Sequence, residues 1–231
     1  MRTYHQQLAR HETRRCLYGL IPRAITDWAR LRRYRRAYEG AVVTAGSRVQ
    51  QGAKLAPGVI VRNSIVSASA SIERFSTLGE QCRLAGIGRI SIGQFCSIGP
   101  GCSIRSDNHK LDRISTYPFN QVVDGGDGTE RDYEPQPVSI GNDVWVGEGV
   151  TILPGAHLGD GCVVAARTVV TRGDYPPFSV IAGMPGRVIR MRMTEDKAAT
   201  ILANPWWDES DDRIFGELLH ELTDSIAEDE S

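Results

Sequence analysis

The residues best suited to chemistry are Asn108-His109, with Asp112 three positions on and the run Ser115-Thr116-Tyr117-Pro118-Phe119 behind it. A neutral imidazole accepts a proton from a hydroxyl or amine near pH 7. That is the one task an acyl transfer from an already activated thioester asks of a side chain. Asp112 could orient the ring as the acid partner of a triad, or be an exposed loop carboxylate. On position alone His109 could equally be a hydrogen-bonded loop histidine. Five cysteines (Cys16, Cys82, Cys96, Cys102, Cys162) form an odd set with no CxxC pair, so neither a disulfide framework nor a zinc site is expected and the thiols should be reduced.

What positions His109 is a repeat. An aliphatic residue returns every six positions at Ile140, Val146, Ile152, Leu158, Val164 and Val170. Shorter runs precede it at Val43, Val49, Leu55, Val61, then Val66, Ile72, Leu78, Leu84, then Ile92, Ile98, Ile104. Six is a multiple of the strand period of two and does not fit 3.6, so each unit reads as a short strand and a corner. Three units make one triangular coil of about 18 residues, stacked as a solenoid. Gly follows several column residues (Gly93, Gly99, Gly141, Gly147, Gly159), where the backbone must bend or lie close to something. The fourth residue after the aliphatic is small (Ser76, Cys82, Cys96, Cys102, Ala156, Cys162, Thr168), so four of the five cysteines read as buried fillers. The phase is lost after Ile104 and regained at Val138, which leaves residues 105–137 as an excursion with His109 at the break. Its aromatic first part reads as ordered and Asp124–Gly128 as mobile.

The hexad resembles that of the hexapeptide-repeat acyltransferases over roughly residues 43–192, and the NH…D…STYPF loop resembles their xenobiotic acetyltransferase branch, which includes chloramphenicol and streptogramin acetyltransferases. The resemblance implies a left-handed parallel β-helix, a hand that composition would not have given. It also implies His109 as catalytic base, with Asn108, Asp112 and Tyr117 at the acceptor. Val169-Val170-Thr171-Arg172-Gly173-Asp174 and Ala182-Gly183-Met184-Pro185-Gly186-Arg187-Val188-Ile189-Arg190 are similar to the family's VVTKD…AGNPAKVIR end. By that likeness Ala165, Thr171, Arg172 and Arg190 would line an acetyl-CoA site, with guanidinium groups suited to its phosphates. Arg172 stands at the family's Lys position and Met184 at its Asn. Gly147, Ala165 and Gly183 are 18 apart, and a stacked column of small residues would leave a groove for a pantetheine arm or simply allow tight corners; Pro176 could disturb the last member. Asn142-Asp143-Val144-Trp145 matches the family's NDVW, with Trp145 expected under the active-site loop or at a subunit contact. The family assembles as homotrimers with active sites between subunits. With only His109 and His157 in the coil region, the three-His zinc site of the related β-helical carbonic anhydrases cannot be built, so no metal is expected.

The chain of 231 residues carries 27 basic and 28 acidic side chains, a net of −1, which gives a nucleic-acid partner no support. The ends differ. Residues 1–40 carry ten Arg against Glu12, Asp27 and Glu39, a net of +7; residues 194–231 carry twelve acids against Lys197 and Arg213, a net of −10. No apolar run approaches a membrane span and the start lacks a secretory signal's apolar region, so a cytoplasmic protein is expected. Pro22 can open a helix whose stripe is Leu17, Ile21, Ile25, Trp28, Leu31 and Tyr34, with Gly40 as its stop. That helix packs on the coil or another subunit, or touches anionic lipid as a peripheral contact. Pro205-Trp206-Trp207-Asp208 resembles the branch's WWDW stretch, and Ile214, Leu218, Leu222 and Ile226 predict a docked helix. The divisions are thus a basic helical extension at 1–42, the β-helix at 43–192 and an acidic helical region at 193–231. The leading reading is an acetyl-CoA-dependent O-acetyltransferase acting on a hydroxyl of a saccharide or small xenobiotic. N-acetylation of an amino sugar and a non-catalytic assembly solenoid are the alternatives.

Overall fold

A computed structural model of the chain describes residues 23–124 and 132–224. Cys16, Leu17, Ile21, Pro22, Ile226 and most of the Asp124–Gly128 segment therefore lie outside the described residues. Among the described helices, none is long and apolar enough to cross a membrane.

The repeat builds the parallel β-helix that its period predicts. Strands of two or three residues, with two longer ones closing the first face, stack into an eight-stranded first face and six-stranded second and third faces, visited in that order by each coil. Partners on the first face run Val42–Ile60–Thr77–Ser97–Trp145–Val163–Val180. Every pairing between coils is parallel, and the crossover a parallel pair requires is simply the rest of the coil. Predicted column residues from Val49 to Val170 are all buried, and only Val43 in the first coil is half-exposed.

The corners decide between two expectations. Residues that adopt left-handed backbone lie three positions before a column residue, as at Gly58, Phe75, Phe95, Asp143, Gly161 and Arg167. The glycines that follow column residues do not make the bend. They are required by close approach: a Cβ on Gly99 would lie 2.8 Å from the Gly147 carbonyl carbon, and one on Gly147 would lie 2.6 Å from the Ala166 nitrogen.

The small-residue position is an inward ladder. Cys82, Cys96 and Cys102 donate their thiols to the carbonyls of Gly99, Gly141 and Gly147 on the next coil at 3.1, 3.0 and 3.2 Å. The Ser64 hydroxyl donates to Gly79 O and accepts from Cys82 N at 2.9 Å. All four described cysteines are buried and free. Burial pushes the Cys96 thiol up to about 12 and raises that of Cys162, which keeps both protonated and unreactive.

Both ends are dressed. Helix α1 (Arg23–Ala37) seats Leu31 and Tyr34 on the first coil, where the Tyr34 hydroxyl accepts from Val49 N at 2.8 Å. Ile25 and Trp28, expected on that same stripe, are exposed instead, because the coil meets only the second half of the helix. The C-terminal region lies against the corner between third and first faces. Phe75 and Phe95 stack there at 5.1 Å, with Phe95 against Trp206 at 4.8 Å and Phe75 against Phe215 at 5.1 Å. A left-handed non-glycine residue costs roughly 1–2 kcal/mol. Ring contacts worth about 0.5–1.5 kcal/mol each beyond their buried area offset that cost. Arg74 donates to the carbonyls of Trp207 and Glu209 at 2.7 and 2.6 Å. Ile214 is buried as expected, but Leu222 is exposed, and the predicted single helix is a short irregular turn (Arg213–Glu217) followed by Leu219–Thr223.

Substituting Gly99→Ala should destabilise the protein by about 1–3 kcal/mol, since the methyl meets backbone that cannot swing aside; an unchanged melting temperature would contradict this packing. Replacing Cys82, Cys96, Cys102 and Cys162 together by Ala should lower stability yet leave turnover intact in the fraction that is folded. Loss of turnover in protein with native circular dichroism would instead mean a chemical role for a thiol.

Candidate active site

The coil is interrupted at one corner, between the second face, which ends at Arg105, and the third, which resumes at Val138. Asp107–His109 and Tyr133–Pro135 form an antiparallel ribbon that carries the excursion outward. Its base is clamped to the coil below. Ser106 donates its hydroxyl to Gly88 O at 2.6 Å, and the buried Asp107 carboxylate accepts from Ile87 N at 3.1 Å and from Arg105 at 2.7 Å. These bonds replace the ladder that the excursion gives up.

His109 stands exposed at the end of this ribbon, its ring 4.8 Å from that of Tyr133. Nδ1 lies 2.9 Å from the Thr116 carbonyl oxygen. A carbonyl only accepts, so this contact assigns the hydrogen to Nδ1 and leaves the lone pair of the neutral ring on Nε2. The imidazole is thereby set in the tautomer a base requires, and the orienting group is a main-chain carbonyl. Asp112 is exposed and does not hold the ring. The loop turns back between Asp112 and Thr116, which brings the carbonyl, not the carboxylate, to Nδ1.

Behind Thr116 the loop is pinned by Asp132, which is 4% exposed. Its carboxylate accepts from Asn120 Nδ2 at 2.7 Å, from Asn120 N at 3.3 Å and from Gln121 N, at the start of helix α2 (Phe119–Asp124). Arg113 lies 3.5 Å away. Burial alone would raise the Asp132 carboxyl, but these hydrogen bonds and the Arg113 charge outweigh it and hold it below the ordinary carboxylate range. Tyr133 donates its hydroxyl to Gln121 Oε1 at 3.1 Å. Sequence reading missed Thr116, Asp132 and Tyr133 in these roles, because their partners are main-chain groups or lie across the loop.

Other expected residues fall on different edges. Asn108 is exposed, but successive residues of a strand point to opposite faces, so it lies across the ribbon from His109. Tyr117 is half-exposed and its ring meets Phe119 at 4.9 Å. Thr171 and Arg172 occupy the same corner column as the excursion, two coils further on, where the Tyr175 hydroxyl donates to Thr171 O at 3.2 Å. Trp145, 57% exposed, lies on the first face and not beneath its own chain's loop. Arg190 is exposed on that same face, on the strand Gly186–Met191. Gly147 and Ala165 stack at the corner between first and second faces, but their third member is Ala182, not Gly183: Val146, Val164 and Ile181 are register partners. The last coil is one residue short. The loss falls at the Thr171–Arg172 corner, because Thr151 pairs with Val169, an offset of 18, whereas Ala156 pairs with Gly173, an offset of 17. Asn142 and Asp143 fasten corners: Asn142 Oδ1 accepts from Gln94 N at 2.8 Å, and Asp143 meets Arg192 at 3.3 Å. His157 is half-buried with Nδ1 2.8 Å from Ser139 Oγ. Among the described residues, no three or more His, Cys, Asp or Glu are grouped to hold a metal ion.

Comparison with known proteins agrees with this architecture. Residues 137–172 match the model of the bacterial transferase hexapeptide family, described as six repeats. A probable macrolide acetyltransferase from Lysinibacillus sphaericus is 37% identical over 136 residues, 56% of this chain and 75% of that protein. A chloramphenicol acetyltransferase from Agrobacterium fabrum is 36% identical over 56% of this chain and 64% of its own length. A putative lipopolysaccharide biosynthesis O-acetyl transferase from Escherichia coli K12 is 36% identical over 52% of this chain and 59% of its own length. Among solved structures, the N-acyltransferase AntD of Bacillus cereus with dTDP and 3-hydroxybutyryl-CoA shares the fold, with a TM-score of 0.51 at 15% identity over 72% of this chain and 86% of that one. Hexad columns, interrupted corner and a relative matched over three quarters of its length together place the chain in the hexapeptide-repeat acyltransferase family, within the xenobiotic acetyltransferase branch.

Proposed function

We propose that the protein is an acetyl-CoA-dependent O-acetyltransferase acting on a hydroxyl of a saccharide, a saccharide precursor or a small xenobiotic, with His109 as general base. The observation that carries this reading is the Nδ1–H bond from the exposed His109 to the Thr116 carbonyl, which leaves Nε2 as the acceptor. The names of the relatives support acetyl transfer to such acceptors.

In this mechanism Nε2 removes the proton from the acceptor hydroxyl as its oxygen attacks the thioester carbonyl. The imidazolium so formed keeps its Nδ1–H bond to Thr116 and then returns the proton to the departing thiolate. The base therefore ends the cycle as it began it, and no other side chain needs to change charge.

The proposed coenzyme residues divide between two edges of the coil. His109, Thr171 and Arg172 belong to the corner between second and third faces, whereas Trp145, Gly147, Ala165 and Arg190 belong to the first face and its corner with the second. These two edges lie on either side of the second face. A homotrimer with each site between two copies, the assembly that the resemblance implies, would bring one of each to the same thioester. Gly183, displaced from the column, is the weakest member of that coenzyme set.

His109→Ala should reduce transfer by roughly 10²- to 10⁴-fold while acetyl-CoA binds almost as before. Rates read as free thiol release, with coenzyme titrated separately, check this; full activity in the variant would remove His109 from the mechanism. Neutralising Arg172 or Arg190 as Gln should do the opposite, weakening acetyl-CoA binding with a smaller effect on turnover at saturation, because phosphate contacts are made about equally in ground and transition states. Titration at two salt concentrations should show a smaller salt effect in each variant than in the parent. Unchanged affinity in both would place the coenzyme elsewhere.

A further inference from the structure

We propose that Asp132 is a positioning residue for the His109 base, acting as a double clasp that closes the segment 110–120 and so holds the Thr116 carbonyl against Nδ1. The inference rests on the reading of His109 as base and names a residue that reading does not use.

Asp132 is attached at both ends of that segment. Its main-chain carbonyl accepts from Lys110 N at 3.4 Å, one residue after His109. Its side chain accepts from Asn120 N, Asn120 Nδ2 and Gln121 N, a few residues after Thr116. Arg113, inside the segment, adds a third tie. Between these ties Asp112, Ser115 and Tyr117 are exposed, and the turn that presents Thr116 is braced locally by Tyr117 N donating to Ser115 Oγ at 3.2 Å, so its seat on the ribbon comes through Asp132. A buried carboxylate that loses its donors is costly, and donors that lose a buried acceptor are equally so. The arrangement therefore resists partial opening. The carboxylate also faces the first amides of α2, where the exposed N–H groups and the helix dipole favour negative charge. Neighbouring Tyr133 reinforces the clasp from the other side, with its ring against His109 and its hydroxyl on Gln121.

A bond to a main-chain carbonyl fixes a tautomer only while that carbonyl stays in place. If the clasp opens, Thr116 moves away, the hydrogen redistributes between the two ring nitrogens, and a fraction of the enzyme presents Nε2 as a donor. The effect would fall on the base and not on the coenzyme residues, which are set by the coil.

The test uses the full chain with its histidines labelled with ¹⁵N. Ring nitrogen shifts in the parent should report His109 as the Nδ1–H tautomer. In Asp132→Ala, and to a smaller degree in the near-isosteric Asp132→Asn, they should report a mixture, while circular dichroism and acetyl-CoA affinity stay unchanged. Transfer to chloramphenicol, or acetyl-CoA hydrolysis if that probe is not accepted, should fall roughly ten- to a hundredfold in kcat with KM for acetyl-CoA unchanged. In the His109→Ala background, adding Asp132→Ala should cost nothing further, because the residue acts through His109. Preservation of the parent tautomer in both Asp132 variants overturns the proposal. So does a rate loss that adds to that of His109→Ala, which would mean a general structural role. If His109→Ala keeps full activity while the tautomer still shifts in Asp132→Ala, the clasp stands and the assignment of the base falls.

Discussion

The solenoid holds together because each coil lies flat on the next, close enough for every short strand to bond its neighbours above and below. Two-residue strands cannot support themselves, so their stability is that of the stack. The distance between coils is fixed by main-chain hydrogen bonds near 2.8–3.0 Å, such as Ser97 N to Val144 O and Trp145 N to Cys162 O. All else follows from keeping that distance. A glycine stands wherever the next coil's backbone occupies the space of a Cβ, and small hydrophobes or hydroxyls stand wherever a side chain must fit between layers. Ser64, Cys82, Cys96 and Cys102 bond to carbonyls of the coil above, which satisfies polar atoms that have no access to water, whereas the buried Thr168 Oγ1 at the same repeat position has no partner among the described residues.

A structure so regular offers few places for chemistry, and His109, the proposed base, sits where the regularity is abandoned. Leaving the ladder between Arg105 and Val138 exposes main-chain groups that need new partners, and the ribbon, Ser106 and Asp107 supply them. The same shortage of partners explains the use of main-chain groups at the site itself. The Thr116 carbonyl, freed from any ladder, becomes the acceptor that sets the His109 tautomer. Rigidity below the loop and self-closure within it are separate devices, one supplied by the coil and the other by Asp132 and its donors.

The architecture was legible because its period is a property of side-chain type: aliphatic columns and the small position after them are forced by the layer spacing and appear directly as letters. The corner bends were less legible. Their left-handed residue is Gly at some corners but Phe75, Phe95, Asp143 or Arg167 at others, since a neighbour's packing can offset the strain. The column Gly147–Ala165–Gly183 failed at its third member because one residue is missing at a corner where no strand pattern marks it. The role proposed for His109 was suggested by its place at the break and by the loop it resembles. Its orienting group was not, because a carbonyl belongs to every residue and carries no letter. Asp132 was silent for a related reason: three of its contacts go to the first amides of a short helix and to Asn120, and nothing in an acid set between Glu130 and Glu134 announces a buried one.

The missing residue in the last coil has an effect on how the molecule ends. Shortening that turn advances the chain by one step, so that Gly183 is free to begin a reversal and the next strand, Gly186–Met191, runs antiparallel to Ser179–Gly183. Antiparallel pairing closes the first face with a strand whose direction no further coil could match. Arg192 then tucks back under the final corner, donating to Gly161 O at 2.7 Å. At the opposite end α1 lies across the first coil. A stack of identical layers has no intrinsic length and could in principle add layers, or another molecule's layers, without limit. Here the count of layers is set by a change of strand direction at one end and a helix at the other, so growth along the axis is blocked on the first face and the sides remain the surfaces for assembly.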